Sequence, residues 1–210
     1  MDVGLPWVLA SRNGGKLVEL RALFATHGIA VIDLVEAGVR EDPVAEEQIE
    51  SFDTFEENAL AKARYFSSRL PGRVVVADDS GLSVDALGGE PGVRSKRWSG
   101  SSAKNGKTVD AANNALLVAR LAGSERRAAR FVCVAAYADG AGQLAASGEV
   151  LGRVVDEPRG SFGFGYDPHF FIDELGMTMA EATVAEKEQV SHRGRAFVAL
   201  LGLLHVRGVL

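Results

Sequence analysis

Cys133 is the only cysteine in the chain, which excludes an internal disulfide and a cysteine-built metal site and suits a reducing, cytoplasmic setting. It sits inside the apolar run 131–136 and reads as a core residue. Long hydrophobic runs are missing as well: none approaches the roughly 20 residues that a membrane-spanning helix needs, so no membrane partner is expected. Residues 1–6 carry an acid and no basic stretch, unlike a signal peptide. Positive charge is in deficit. The formal net charge is −5, whereas a nucleic-acid-binding domain usually shows a basic excess, so no nucleic-acid partner is expected. The bases Arg94, Lys96, Arg97, Lys104 and Lys107 do cluster locally; this run fits a solvated loop face or contact with a phosphorylated small molecule. No repeat and no low-complexity linker divides the chain. With 210 residues, 47% of them hydrophobic, a single domain spanning residues 1–210 is expected, in one body or two lobes.

What is present is an alternation of helical and strand patterns. Residues 7–10 read as a short apolar strand, followed by a polar turn, Ser11-Arg12-Asn13-Gly14-Gly15-Lys16, and by Leu17, Leu20, Leu23 and Phe24 at helical spacing. Residues 29–34 suggest a second strand, and an acidic loop then runs to Asp53. Thr54 with Glu57 forms a capping box for a helix that buries Phe55, Ala59, Ala63 and Phe66. Residues 73–77 form a β-branched strand ending at Asp78-Asp79-Ser80-Gly81. Residues 111–122 read as a helix with Gly123 as its C′ residue. Residues 131–138 and 144–155 read as paired strands, and Ser191 caps a last helix running to about Val206. The class is α/β or α+β with a mixed sheet.

Four segments could carry chemistry. The turn of residues 11–16, between a strand and a helix N-terminus, offers backbone N–H groups and a positive dipole end to phosphate. Asn13 and Lys16 add side-chain donors, although the spacing is not that of a Walker A loop. The Asp78-Asp79 pair at a strand end is costly unless a cation neutralises it. Successive strand residues face opposite ways, so only one of the two serves a given site. A hard cation such as Mg²⁺ would take one carboxylate here and a second from Glu46, Glu47 or Glu50; a bare pair equally fits a solvated acidic turn. Glycine alternates with aromatics through Gly160-Ser161-Phe162-Gly163-Phe164-Gly165-Tyr166-Asp167-Pro168, where glycine admits a flat ring close to the backbone and Phe or Tyr can stack on a base; a loop packed under its own aromatics is the other reading. Lys187 precedes Ser191-His192-Arg193, whose donors stand at a helix start.

In this order the four segments resemble the inosine triphosphate pyrophosphatase family, the HAM1-like non-canonical purine nucleoside triphosphatases. The motifs that carry the likeness are Thr54-Phe55-Glu56-Glu57-Asn58-Ala59 with Lys62-Ala63, residues 77–85 (ADDSGLSVD), Gly88-Gly89-Glu90-Pro91-Gly92-Val93, residues 162–168 (FGFGYDP) and Ser191-His192-Arg193. The resemblance implies a mixed central β-sheet flanked by helices, two lobes with an active-site cleft between them, and a homodimer. It implies hydrolysis of XTP, ITP and dITP to a monophosphate and pyrophosphate with Mg²⁺. Residue by residue, it implies that Ser11, Arg12, Asn13, Gly14, Gly15 and Lys16 bind phosphate and that Asp79 is both catalytic base and metal ligand. Glu50 would be the second metal ligand. Lys62 and Ser80 would contact substrate; Phe164, Gly165, Tyr166 and Asp167 would form the base loop; Lys187, His192 and Arg193 would close over the purine. Three departures stand out. Ser11-Arg12 replaces the usual Thr-Gly. No glycine precedes Thr54, which leaves Glu47 open beside Glu50. Arg94 and Lys96 stand where Tyr and Ala are common. Pyrimidine or other modified nucleotides are the alternative substrates, and a non-catalytic nucleotide- or RNA-binding protein is the alternative class.

Overall fold

The computed structural model describes residues 5–103, 105–183, 186–187 and 190–210. Residues 1–4 and Lys104 of the basic run lie outside the described residues. Seven strands form one sheet in the order β2-β1-β3-β4-β5-β6-β7. They are β1 Trp7–Leu9, β2 Val31–Asp33, β3 Val75–Val84, β4 Ala128–Ala138, β5 Gln143–Val154, β6 Phe170–Ile172 and β7 Met177–Thr178. Strand β1 pairs parallel with β2 and β3, while β6 pairs antiparallel with β5 and β7, so the sheet is mixed as expected. The helices are α1 Gly14–Thr26, α2 Pro43–Ile49, α3 Phe55–Arg69, α4 Gly106–Arg120 and α5 His192–Val206.

The chain divides into two compact units. The first comprises Met1–Asp79, Cys133–Gly148 and Arg193–Leu210; the second comprises Ser80–Val132 and Glu149–His192. In the first unit, the two-residue period of the strands sorts side chains onto two faces. Trp7, Leu9 and Val76 pack with Leu20, Leu23 and Phe24 of α1 and with Phe197 and Leu200 of α5. Val8, Val75 and Ala77 pack with Ala59, Ala63 and Phe66 of α3. Each fully buried large apolar side chain here contributes about 1.5–3 kcal/mol. The second unit has its own core, in which Leu117 and Leu121 meet Leu82, Val84, Phe131, Phe170 and Ile172.

Three local expectations change. Residues 43–49 of the acidic stretch are helix α2, not loop. Asp42 caps it by accepting from the Ala45 N–H at 3.1 Å, and Pro43 occupies the first turn, where a missing N–H costs nothing. Strand β3 does not stop at Asp78-Asp79-Ser80 but runs through them to Val84, because Leu82 and Val84 are buried beyond the acids. Helix α4 also begins earlier than expected, since Asn105 caps it through the Lys107 N–H at 2.9 Å.

Candidate functional site

The alternation along β3 decides what each aspartate does. Asp78 shares the parity of Val76 and so points toward α1 and α5. It is 1% exposed and accepts from Lys16 Nζ at 2.8 Å and Arg193 Nε at 3.2 Å. The Cys133 thiol lies 3.8 Å from the same carboxylate oxygen. Burial by itself would raise the Asp78 pKa, but Lys16, Arg193 and Lys62 outweigh it and hold the carboxyl well below the usual carboxylate range. Arg193 is shared with Glu19 of α1, which completes a buried charge network.

Asp79 has the parity of Val75 and Ala77 and points toward α3. Asn58 donates to its carboxylate at 3.0 Å, and the same Asn58 side chain is tied to both backbone groups of Phe52. Burial raises the Asp79 pKa and Glu50 adds to the rise; Lys62, Lys16 and the Asn58 hydrogen bond oppose it. Lys62 pairs with Glu50 and donates to the Asp78 backbone carbonyl at 2.9 Å. Burial would lower the Lys62 pKa, yet Glu50, Asp78 and Asp79 together raise it, so the ammonium stays charged. Glu50, the residue that ends α2, is thus brought into electrostatic contact with Asp79 through α3 and β3.

The first turn is built differently from a bare phosphate loop. Asn13 spends its side-chain oxygen capping α1, accepting from the Gly15 and Lys16 N–H groups at 2.9 and 3.1 Å. Ser11 Oγ accepts from the Asn13 N–H at 3.2 Å. Arg12 grips Glu46 of α2 with two guanidinium nitrogens, each 2.8 Å from a carboxylate oxygen. Among the three acids weighed as metal ligands, Glu46 is therefore committed to Arg12.

The second unit holds the glycine-aromatic loop. Lys187 donates to Asp167 at 2.8 Å in a buried pair, and the same carboxylate oxygen accepts from the Phe164 N–H at 3.2 Å. Gly163 lies beside this pair with φ +83°; a Cβ there would collide with the Asp167 carboxylate and the Lys187 ammonium. Tyr166 is not an open stacking face: it is buried, and its hydroxyl donates to the Ser95 carbonyl at 2.8 Å. Phe164 stays half-buried. His192 stacks on Phe131, with ring centroids 4.8 Å apart and an interplanar angle of 14°. His192 and Arg193, neighbours in sequence, thus serve different units. Ser80 is half-buried on β3, directly after Asp79.

Sequence reasoning did not single out Asn58 as the partner of Asp79. It also passed over Asp110 and Asn114 of α4, which hold Gly165 by its N–H and its carbonyl, each at 2.9 Å. A buried-pattern Asn in α3 and two polar residues four apart on an otherwise alanine- and leucine-rich helix were the available signals.

The chain matches the Ham1 family model over residues 7–203. It is 49% identical over 202 residues to a dITP/XTP pyrophosphatase of Ralstonia nicotianae, covering 95% of this chain and 96% of that protein. It is 50% identical over 200 residues to one of Frankia alni, covering 94% and 96%. The solved structure of the Staphylococcus aureus Ham1 protein superposes with a TM-score of 0.79 at 35% identity, over 97% of this chain and 100% of that one. A nucleoside-triphosphatase / dITP/XTP pyrophosphatase of Mycobacterium abscessus superposes with a TM-score of 0.67 at 43% identity, over 94% and 99%.

Proposed function

We propose that this chain, which belongs to the Ham1 family, hydrolyses deaminated purine nucleoside triphosphates (XTP, ITP and dITP) to the monophosphate and pyrophosphate. The observation that carries the reading is Asp79. It is a carboxylate made more basic by burial, oriented by Asn58, and set among Glu50, Lys62 and Lys16. A general base of this kind takes a proton from water as the water oxygen bonds to the α-phosphorus. The α–β bridging bond breaks, and pyrophosphate leaves with the electron pair. Lys16 and Lys62, with the Asn13 amide nitrogen and the N–H groups of Arg12 and Gly14, are the donors for the phosphate charge; the N–H groups of Ser11 and Gly15 are already given to the Leu9 carbonyl and to Asn13 Oδ1.

The donor set suits magnesium. Among the described residues no three His, Cys, Asp or Glu side chains cluster into a closed cage, but Glu50 and Asp79 would supply two hard oxygen ligands. Mg²⁺ commonly takes one or two carboxylates, keeping waters and sharing substrate phosphates. Bound there, it would neutralise triphosphate charge and orient the α-phosphorus. We assign Glu50 rather than Glu47 to it, because Glu50 pairs with Lys62, whose ammonium also donates to the backbone carbonyl of Asp78, the residue before Asp79.

Base choice falls to the second unit in this reading: Ser80, Phe164, Gly165, Tyr166, Asp167, Lys187 and His192. Donors satisfy the 6-oxo group of hypoxanthine or xanthine and leave the amino group of adenine unmatched, a distinction worth roughly 10⁴-fold when a site is built on hydrogen bonds. Arg193, engaged by Asp78 and Glu19, acts by holding the start of α5. A homodimer working as a single-domain enzyme in the cytoplasm, with no nucleic-acid partner, belongs to the same proposal. No helix among the described residues is long and apolar enough to cross a membrane. The test is a panel of ITP, XTP, dITP, GTP, ATP, UTP and dTTP with Mg²⁺, measuring pyrophosphate against single phosphate. Pyrophosphate released fastest from ITP and XTP is the expected result. Single-phosphate release, or preference for a pyrimidine, would overturn it.

A further inference from the structure

We propose that Asp110 and Asn114 of α4 are positioning residues that set base selectivity by locking the backbone of Gly165. The inference rests on the reading of residues 164–167 as the base loop.

Gly165 has no side chain to anchor it and adopts φ +63°, a conformation open to glycine but poorly favoured elsewhere. Apart from its chain neighbours, no atom of the described residues lies within 4 Å of where its Cβ would be. It is held instead by both of its backbone groups. Its N–H donates to Asp110 Oδ2 at 2.9 Å, and its carbonyl accepts from Asn114 Nδ2 at 2.9 Å. Residues four apart share a helix face, so one turn of α4 presents an acceptor and a donor at the spacing of a single residue's N–H and C=O. Asn113, on the same face, extends the arrangement. It donates to the Ser95 carbonyl at 3.1 Å, the carbonyl that also accepts from the Tyr166 hydroxyl.

Asn114 is an uneconomical choice for stability alone. Its Oδ1 is buried without a hydrogen-bond partner among the described residues, a state that ordinarily costs free energy. A side chain that accepts this penalty while its other end fixes Gly165 is explained by what Gly165 must do. With the glycine locked, the loop that carries the half-buried Phe164 ring is fixed before a base arrives. Released, the loop would have to order on binding, and its preference for one pattern of donors and acceptors would blur.

The experiment compares wild type with Asp110→Ala, Asn114→Ala and Asp110→Asn. The readouts are kcat and KM for ITP and ATP, hydrogen exchange at the Gly165 amide, and melting temperature to verify folding. Asn114→Ser replaces Asn114→Ala should the latter not fold. In the two alanine variants, KM for ITP should rise about five- to tenfold, the scale of one lost hydrogen bond. Their kcat should stay within about twofold, the ITP-to-ATP ratio of kcat/KM should narrow, and the Gly165 amide should exchange faster. Asp110→Asn keeps an acceptor oxygen and should restore most of the ratio. A selective wild type whose alanine variants keep the full ratio, or an Asp110→Asn as impaired as Asp110→Ala, overturns the inference alone. A wild type that hydrolyses ITP and ATP equally overturns the base-loop reading beneath it.

Discussion

Asp78→Asn and Asp79→Asn, one residue apart on β3, should fail in opposite ways. Asp78 is 1% exposed and neutralises Lys16 and Arg193. Its amide analogue fills the same volume, so the cost is electrostatic: the buried Arg193 and the half-buried Lys16 lose a shared counterion. Removing one partner of a buried pair typically costs about 3–5 kcal/mol, and Glu19 continues to serve Arg193, so about 3 kcal/mol is expected. For a chain of this size that lowers the melting temperature by roughly 6–12 °C. The pH dependence follows from the sign of the shift. A carboxyl whose folded pKa lies below its unfolded one contributes stability above the unfolded value and loses it as pH falls through the folded value. The gap between wild type and Asp78→Asn is therefore full at neutral pH and closes only in strong acid. Asp79 is shifted the other way, chiefly by burial. Its ionised form is penalised in the fold, with stability lost as pH rises through the folded pKa, so Asp79→Asn should be neutral or stabilising at pH 7. Its pyrophosphate release should nonetheless fall roughly 10²- to 10⁴-fold, the range for a lost general base. Urea unfolding at several pH values, run beside pyrophosphate release, separates the two. An Asp78→Asn that unfolds within about 1 kcal/mol of wild type, or an Asp79→Asn that is as unstable as Asp78→Asn, would refute the assignment of the two faces.

Gly163→Ala should raise KM for ITP without abolishing turnover, because the added methyl displaces the Asp167–Lys187 pair in a backbone already at positive φ; steady-state kinetics with ITP checks it, and an unchanged KM counts against a base-loop role for that pair. Burial and the neighbouring Asp78 push the Cys133 thiol up, so a thiol-alkylating reagent at pH 8 should leave the native protein unlabelled and modify it only after denaturation, as mass spectrometry would show.

Much of the fold is legible in local patterns. The β-branched run of residues 73–77, the helical spacing of Leu20, Leu23 and Phe24, and the Thr54–Glu57 cap each act within a few residues, and each marks an element of the kind the pattern predicts, although β3 spans Val75–Val84. The motifs around Asp79 and residues 162–168 point to a nucleotide through their resemblance, taken in order, to the Ham1 family. Helix α2 escaped notice because its charged residues carry no apolar period; only the Asp42-Pro43 start marks it. Strand β3 looked finished at Asp78 because local hydropathy has no way to register Lys16 and Arg193, which arrive from far along the chain.

The sequence by itself determined the kinds of groups available: two adjacent carboxylates on a strand, a lysine-bearing turn, and a loop in which glycine spaces the rings. Alternation even required that the carboxylates part company. Which of them faces cations, and which is left basic beside Glu50 and Asn58, was decided only by the packing of α1 and α5 on one side of β3 and α3 on the other. Electrostatic roles depend on distance and burial, and those are properties of the assembled sheet and helices rather than of neighbours in the chain.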